Sequence, residues 1–479
     1  MPSPLSLSLA AFALAAPLAT ASPLARPPSL GNTLDTRSSQ PQPLSVNLKR
    51  RANAHSRTQR RDATSYRKHA QGMRSKYGGW APNSKHNSTT RAKRQQTIDM
   101  TTYTNSEWYG EIDVGTPPAG FSVVLDTGSS DLILAEPNCN GCESSTPGYD
   151  PSSSSTSSET QSSFQITYGS GSGSGELVSD VVSIANYSQP NQVFAACSTL
   201  DNIVDGEISG ILGLGWASIA SSQAVPLVQS LADNGTLPEQ VFGFAFETGT
   251  FTTASSVTAP GGTLTIGGVD TSAYSGEINW IDIVQPEGYW QIPLEGITVG
   301  GTSTGITSDA VVIDTGTTLI GMPSDQVATI YDSVPNSQPI VLDGEDGYYA
   351  FPCSQDVEVS FQFGGQTYAI DPDQFNAGAV DNRGRLCLGA VFALETGSSS
   401  ISTIVGDAFL TGVYNAYRFA PTPAVGFATL GSGGTANTGS SATSSGTGNG
   451  AVADVMGGGR SALVGGAMAA LGVVAALFA

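Results

Sequence analysis

Residues 123–130 read Val-Val-Leu-Asp-Thr-Gly-Ser-Ser, and residues 311–318 read Val-Val-Ile-Asp-Thr-Gly-Thr-Thr. A self-similarity with so long a period does not describe a stack of small repeats; it describes two homologous lobes. A second echo follows each copy, an apolar run ending in glycine: Ile211-Leu212-Gly213 in the first half and Ile404-Val405-Gly406 in the second. In each copy an apolar strand delivers an aspartate into a tight turn. The strand buries the carboxylate, Gly128 or Gly316 permits close backbone approach, and the hydroxyls of Thr127, Ser129, Thr315 and Thr317 supply hydrogen bonds around it. A lone Asp-Thr-Gly also makes ordinary turns. Two copies in matched apolar settings are much more specific. If the lobes meet about a pseudo-twofold axis, Asp126 and Asp314 face each other across one cleft.

The distribution of charge removes most other chemistries. Sixteen of the 20 Lys and Arg residues, all three His and only two of the 40 acids (Asp35 and Asp62) lie before residue 95. The remainder has four basic and 38 acidic residues, a net charge of −34, with no His and no Lys. Nucleophile mechanisms that need an imidazole or an amine have neither there. The five cysteines are too scattered for a four-ligand zinc site, so no metal and no cofactor is expected. An acidic body also repels nucleic acid. Carboxylates remain as the acid and base. Two at hydrogen-bond distance cannot both ionise comfortably, so such a pair shares one proton, leaving one base and one acid. The general example of that effect is the aspartic-protease dyad.

From about residue 95 the chain is written in short Val/Ile/Phe/Tyr-rich runs broken by Gly, Ser, Asn and Asp, such as YGEIDVG, FSVVLD, FQITYG, LTIGG, INWIDI and VEVSFQFGG. These predict a mostly β body. Residues 224–234 and 323–332 are the best helix candidates.

The chain resembles the pepsin-like aspartic proteases (fungal secreted or yapsin-like, surface-anchored members among them) over roughly residues 103–430. The matching segments are WYGEIDVGTPP (108–118), VVLDTGSSDL (123–132), ITYGSGSGSG (166–175), ISGILGLG (208–215), INWIDI (278–283), AVVIDTGTTL (310–319) and STIVGDAFL (402–410). The resemblance implies a bilobal fold of two homologous β-rich lobes about a pseudo-twofold axis. It also implies Asp126 and Asp314 as catalytic residues acting on protein and peptide substrates. Tyr168 and Gly169 would lie on a β-hairpin flap over the cleft, with Ser170 near the substrate backbone. Read without the two Asp-Thr-Gly copies, ITYGSGSGSG is only a glycine-rich loop. Many family members support the flap tyrosine with a tryptophan N–H; Ile133 stands in that place here and offers no donor. By the same resemblance Cys353 pairs with Cys387 and Cys139 with Cys142. Cys197 is left over, either as a buried thiol or as an alternative partner for Cys139 or Cys142. A redox reading of Cys139-Asn-Gly-Cys142 lacks the surrounding βαβ pattern.

Around this body the sequence suggests processing segments. Residues 1–21 read as a signal peptide, with an apolar stretch and an Ala19-Thr20-Ala21 cleavage pattern. Residues 22–94 read as a basic propeptide ending at Lys93-Arg94, and charge opposition suits it to act as an intramolecular inhibitor that loosens in acid. Cleavage after Arg94 would leave Gln95 as the new N-terminus. The lobes are expected at 95–278 and 279–430. Residues 431–451 form a Gly/Ser/Thr-rich stalk, and 452–479 a GPI-type signal with Asn449 as attachment candidate, a transmembrane helix being the alternative for the tail. Asn186 and Asn234 open glycosylation sequons, as does Asn87 in the N-terminal segment. The expectation is a monomeric endopeptidase made as a zymogen and held at the cell surface; the rival is a catalytically inactive surface binding protein on the same fold. Side-chain preference stays open between apolar and basic, with Asp131, Asp205 and Glu207 as carboxylates that could favour Lys or Arg, or as ordinary surface charges.

Overall fold

The computed structural model describes residues 44–51, 70, 73–74, 76–77 and 108–431, apart from 169–170, 205, 248–257, 343, 382 and 398–399. The signal, stalk and anchor segments, Arg94, Gln95, Asn449, Gly169, Ser170 and Asp205 lie outside the described residues.

The repeat in the sequence is a repeat in topology. The strand Ala119–Asp126 pairs antiparallel with Trp108–Val114 and parallel with Ile208–Gly213, in a register that sets Val124 against Ile211 and Asp126 against Gly213. In the second half Ser308–Ile313 pairs antiparallel with Gln291–Leu294 and parallel with Ile404–Val405, which sets Ile313 against Val405. The next strand in each half, Leu132–Asn140 or Ile320–Met322, then runs antiparallel on the far side of that glycine-ended strand. The apolar echoes found in the sequence are thus the parallel neighbours of the two Asp-bearing strands. Such strands are buried on both faces and carry continuous apolar runs: Val123, Leu125, Val311, Val312 and Ile313 are all buried.

The halves are joined by backbone pairing as well as by packing. A 13-stranded sheet carries Val241–Phe246 of the first half beside Val413–Arg418 of the second, with Phe242 opposite Tyr417, and adds Ala424–Leu430 and Tyr274–Asp282. The last of these strands runs through the expected lobe boundary at 278. In the same sheet, Leu44–Arg51 lies between Thr258–Ile266 and Trp108–Val114. A large apolar core spans both halves, and a smaller one under the first half gathers Tyr109, Ile133, Ala135, Phe164, Tyr168, Leu177 and Cys197. The buried Trp290 ties the halves further, its Nε1 donating to the Leu214 carbonyl at 2.9 Å.

Two of the helices fall where periodicity puts them. Leu227–Asp233 buries Leu227, Val228, Leu231 and Ala232, and Ser324–Asp332 buries Val327, Ile330 and Tyr331. Both start directly after a proline, Pro226 or Pro323. The first therefore begins three residues later than expected, because a residue before proline is pushed out of the α region.

Candidate active site

The two Asp-Thr-Gly turns meet at the centre of the molecule. Thr127 and Thr315 interlock: the Thr127 amide donates to Thr315 Oγ1 at 3.1 Å and the Thr315 amide to Thr127 Oγ1 at 3.0 Å. Each hydroxyl then donates across the interface to a carbonyl, Thr127 to Ile313 at 2.9 Å and Thr315 to Leu125 at 2.7 Å. All four bonds are buried, where an orphaned partner is expensive, so the pair fixes the separation of the turns. The glycines show how close that is. A Cβ on Gly128 would stand 2.5 Å from Asp314 Cγ, and one on Gly316 2.6 Å from Asp126 Cγ.

The two carboxylates have nearly identical surroundings. Asp126 accepts from the Gly128 amide at 2.9 Å and from Ser129 Oγ at 2.5 Å. Asp314 accepts from the Gly316 amide at 2.9 Å and from Thr317 Oγ1 at 2.5 Å. They are 3 % and 0 % exposed. Every residue placed around the pair on sequence grounds (Thr127, Gly128, Ser129, Thr315, Gly316 and Thr317) touches it or its twin turn.

A segment far upstream completes the site. Residues 70, 73, 74, 76 and 77 are helical, and Ala70, Met73 and Tyr77 are buried on one helical face. Lys76 Nζ sits between the carboxylates, 2.9 and 3.2 Å from the oxygens of Asp126 and 3.1 Å from Asp314 Oδ2. The Tyr77 hydroxyl donates to Asp314 Oδ2 at 2.7 Å, and its ring packs against Tyr289 with centroids 5.2 Å apart. Burial works to lower the Lys76 pKa, but the two carboxylates outweigh it and hold the ammonium above its usual value. Burial raises Asp126, with the Asp314 charge adding to it against the opposing pull of Lys76. Burial would raise Asp314 too, yet Lys76 and its bonds with Asp126, Thr317 and Tyr77 bring it down to about 2. The charge distribution of the sequence pointed to a basic segment facing an acidic body, but no local signal singled out Lys76 and Tyr77.

Tyr168 lies at the end of the hairpin formed by Ser158–Thr167 and Ser172–Ile184. Its hydroxyl is buried beside Ser129 and makes no hydrogen bond of good geometry among the described residues. Ile133 shares its apolar cluster, and the sequence had already shown that Ile133 brings no donor. Of the acids considered as attractors of basic side chains, Asp131 is buried and accepts the amides of Ser221 and Ser222 at 2.8 and 2.9 Å. Glu207 accepts from the Tyr109 hydroxyl. Asp131 therefore anchors a loop and is not a surface charge.

The disulfides Cys139–Cys142 and Cys353–Cys387 are both formed, and Cys197 is a buried free thiol whose pKa burial pushes up to about 12. The open choice for Cys197 thus falls to the thiol. Asn186 and Asn234 are exposed. Among the described residues no cluster of His, Cys, Asp and Glu could hold a metal ion, and no helix is long and apolar enough to cross a membrane.

Two β lobes whose matched Asp-Thr-Gly turns bring two buried carboxylates together define the aspartic endopeptidases. Residues 107–430 match the family described as eukaryotic aspartyl protease, and this chain belongs to that family. It is 37% identical over 346 residues to major aspartyl peptidase 1 of Cryptococcus neoformans, a match covering 70% of each chain. It is 32% identical to an aspartic protease of Phaffia rhodozyma over 71% of this chain and 81% of that one. With pepsin A of Sus scrofa it shares 30% identity over 66% of this chain and 79% of the other. The protein is an aspartic-type endopeptidase with a mostly β, bilobal pepsin-like fold.

Proposed function

We propose that the chain is the zymogen of an acid endopeptidase, in which Asp126 and Asp314 activate water and residues 22–94 block them until the pH falls. The observation that carries this reading is Lys76 Nζ, seated between two carboxylates that come from the two copies of the repeat. A peptide carbonyl and a water cannot occupy that position while the ammonium does.

With the segment gone, the pair retains one proton. The ionised aspartate takes a proton from a water as its oxygen attacks the peptide carbonyl carbon, and the protonated aspartate donates its proton to the carbonyl oxygen. The tetrahedral gem-diol then collapses. The aspartate protonated in the first step gives its proton to the nitrogen, and the ionised one takes a proton from a gem-diol hydroxyl. The C–N bond breaks, and the amine and carboxylic acid products form with one proton again shared by the pair. The four hydroxyl and amide donors that hold the outer geometry of the pair support this exchange of one proton between two oxygens. Tyr168, with Gly169 and Ser170, closes over the substrate as a flap. Lobes at 95–278 and 279–430, secretion, cleavage after Arg94, glycans at Asn186 and Asn234, and a surface anchor through Asn449 complete the reading.

The test follows purified full-length chain from neutral to acid pH. Peptide-bond cleavage and loss of the N-terminal segment should appear together, and a statine-type transition-state mimic should stop both while chelators and serine-directed reagents do not. Full activity at neutral pH with residues 22–94 still attached would refute the inhibitory role.

A further inference from the structure

The same upstream segment places a second cation against the second half of the body, and this one is not at the dyad. Arg74 Nη1 donates to Glu345 Oε2 at 2.8 Å, Nη2 donates to the Ala393 carbonyl at 2.9 Å, and the guanidinium carbon stands 5.9 Å from the centroid of the Phe392 ring. Glu345 opens the strand Glu345–Pro352, while Phe392 and Ala393 belong to Val391–Ala393, which pairs with the strand Ile320–Met322 that follows the second Asp-Thr-Gly turn. All three recognition groups therefore belong to the enzyme body and remain when the segment leaves. The site combines a carboxylate, a carbonyl aimed at a second N–H and an aromatic face at cation–π distance.

We infer that Glu345, the Ala393 carbonyl and Phe392 form a substrate subsite in the second lobe that selects arginine. This rests on the peptidase reading of the cleft and names the side chain that one of its pockets prefers. Arg74 lies two residues from Lys76, so the pocket serves a position only a few residues from the bond cut. The fork of a guanidinium makes both polar contacts at once, whereas a lysine ammonium acts as a single point charge, so the order should be Arg, then Lys, then neutral side chains. Arg74 and Glu345 keep 24% and 26% of their side-chain surface exposed, so solvent screening limits the discrimination to about two- to fivefold. Sequence reasoning weighed Asp131, Asp205 and Glu207 for this purpose. Glu345 lies far from them in sequence, in the other half of the chain.

The experiment profiles the acid-converted enzyme, freed of its N-terminal segment, on peptides that carry Arg, Lys, Gln or Leu in turn at each position around a fixed scissile bond. The same profile is taken with Glu345→Gln. At one position the wild-type kcat/KM ratio of Arg to Gln should be about two to five, and in the variant that ratio should fall toward one. A flat wild-type profile at every position overturns the subsite, and so does an arginine preference that survives Glu345→Gln. If the variant only speeds loss of the N-terminal segment while the profile is unchanged, Glu345 is a latch for that segment and the subsite is again refuted. Failure of the peptidase reading looks different, because then no peptide in the set is cut.

Discussion

Asp126 and Asp314 occupy settings written from one pattern, and their partners within the two turns differ only in a serine hydroxyl on one side and a threonine hydroxyl on the other. Their ionisation nevertheless diverges: burial pushes Asp126 up, while Asp314 is held at about 2. Burial raises both, and what divides them is first the coupling of the pair, in which the bond to Asp126 lowers Asp314 while the Asp314 charge raises Asp126. Lys76 reaches both carboxylates, but the Tyr77 hydroxyl donates to Asp314 alone. Local sequence therefore makes the bonding within the two turns symmetric, and the distant segment adds one contact that Asp314 alone receives.

The hardest blow to the comparison is to remove one carboxylate at a time. Asp126→Asn and Asp314→Asn should each lower acid proteolysis by a factor of at least about 10²–10⁴ with circular dichroism unchanged, since each deletes half of one acid–base pair. Substantial activity in either variant would mean that the two halves do not act together.

Next in size is the segment that brings Lys76 and Tyr77 to the pair. Lys76 has a raised pKa, so its share of the bond is present at every pH below the usual lysine value and is lost only in strong alkali. Asp314 is depressed, so its share is complete above the ordinary carboxylate value of 3.8 and fades as pH falls toward about 2. Asp126, being raised, works in the opposite sense, and its ionisation opposes closure as pH rises. Release in acid therefore rests on Asp314, whose loss of charge below the ordinary value of 3.8 must outweigh the Asp126 contribution. Lys76→Met leaves two buried carboxylates without a counter-charge, and the onset of segment loss should move up by about one pH unit or more. The fraction of full-length chain remaining after a fixed incubation at each pH measures this; an unmoved onset would take Lys76 out of the switch.

The interlocked threonines sharpen the comparison at the level of stability. Thr127→Val and Thr315→Val each remove one hydroxyl and strip the other turn's amide of its acceptor. Each should cost about 1–3 kcal/mol, and the two costs should agree. Urea titration of both variants tests the symmetry directly, and a large inequality would show that one half carries the geometry for both.

The smallest effect concerns what only the first half carries. The Tyr168 hydroxyl is buried without a good hydrogen bond among the described residues. Tyr168→Phe should therefore change stability by no more than about 0.5 kcal/mol while lowering kcat/KM if the hydroxyl meets substrate. A loss of several kcal/mol on thermal unfolding would reveal a structural partner instead.

Sequence and structure agree wherever a residue's role follows from its neighbours in the chain. The repeated Asp-Thr-Gly pattern, the glycine-ended apolar echoes and the strand-and-turn composition led to the two lobes, the paired carboxylates and the mostly β body. Family resemblance, which is also carried by local motifs, led to the disulfide pairs and to the place of Tyr168. Ile133 predicted a missing donor, and the Tyr168 hydroxyl has none of good geometry.

The errors and omissions have a common origin. Asp131 looked like a free surface acid because nothing in its local sequence reveals the Ser221 and Ser222 amides that it binds from 90 and 91 residues away. Glu345 drew no attention, because its value as an arginine site depends on Ala393 and Phe392 in another strand and on Arg74, 271 residues upstream. The segment's net charge raised the expectation that it faces the acidic body, and of its described residues Arg74 and Lys76 meet carboxylates. Which lysine would reach the dyad was decided only by the helical face that buries Ala70, Met73 and Tyr77. The sequence by itself pointed to carboxylate chemistry, since it leaves carboxylates as the candidate acid and base and mounts two of them on matching apolar strands. Tertiary structure alone decided how those groups are charged and what surrounds them, because electrostatic and hydrogen-bond energies depend on distance and burial, and both are set by contacts between residues hundreds of positions apart.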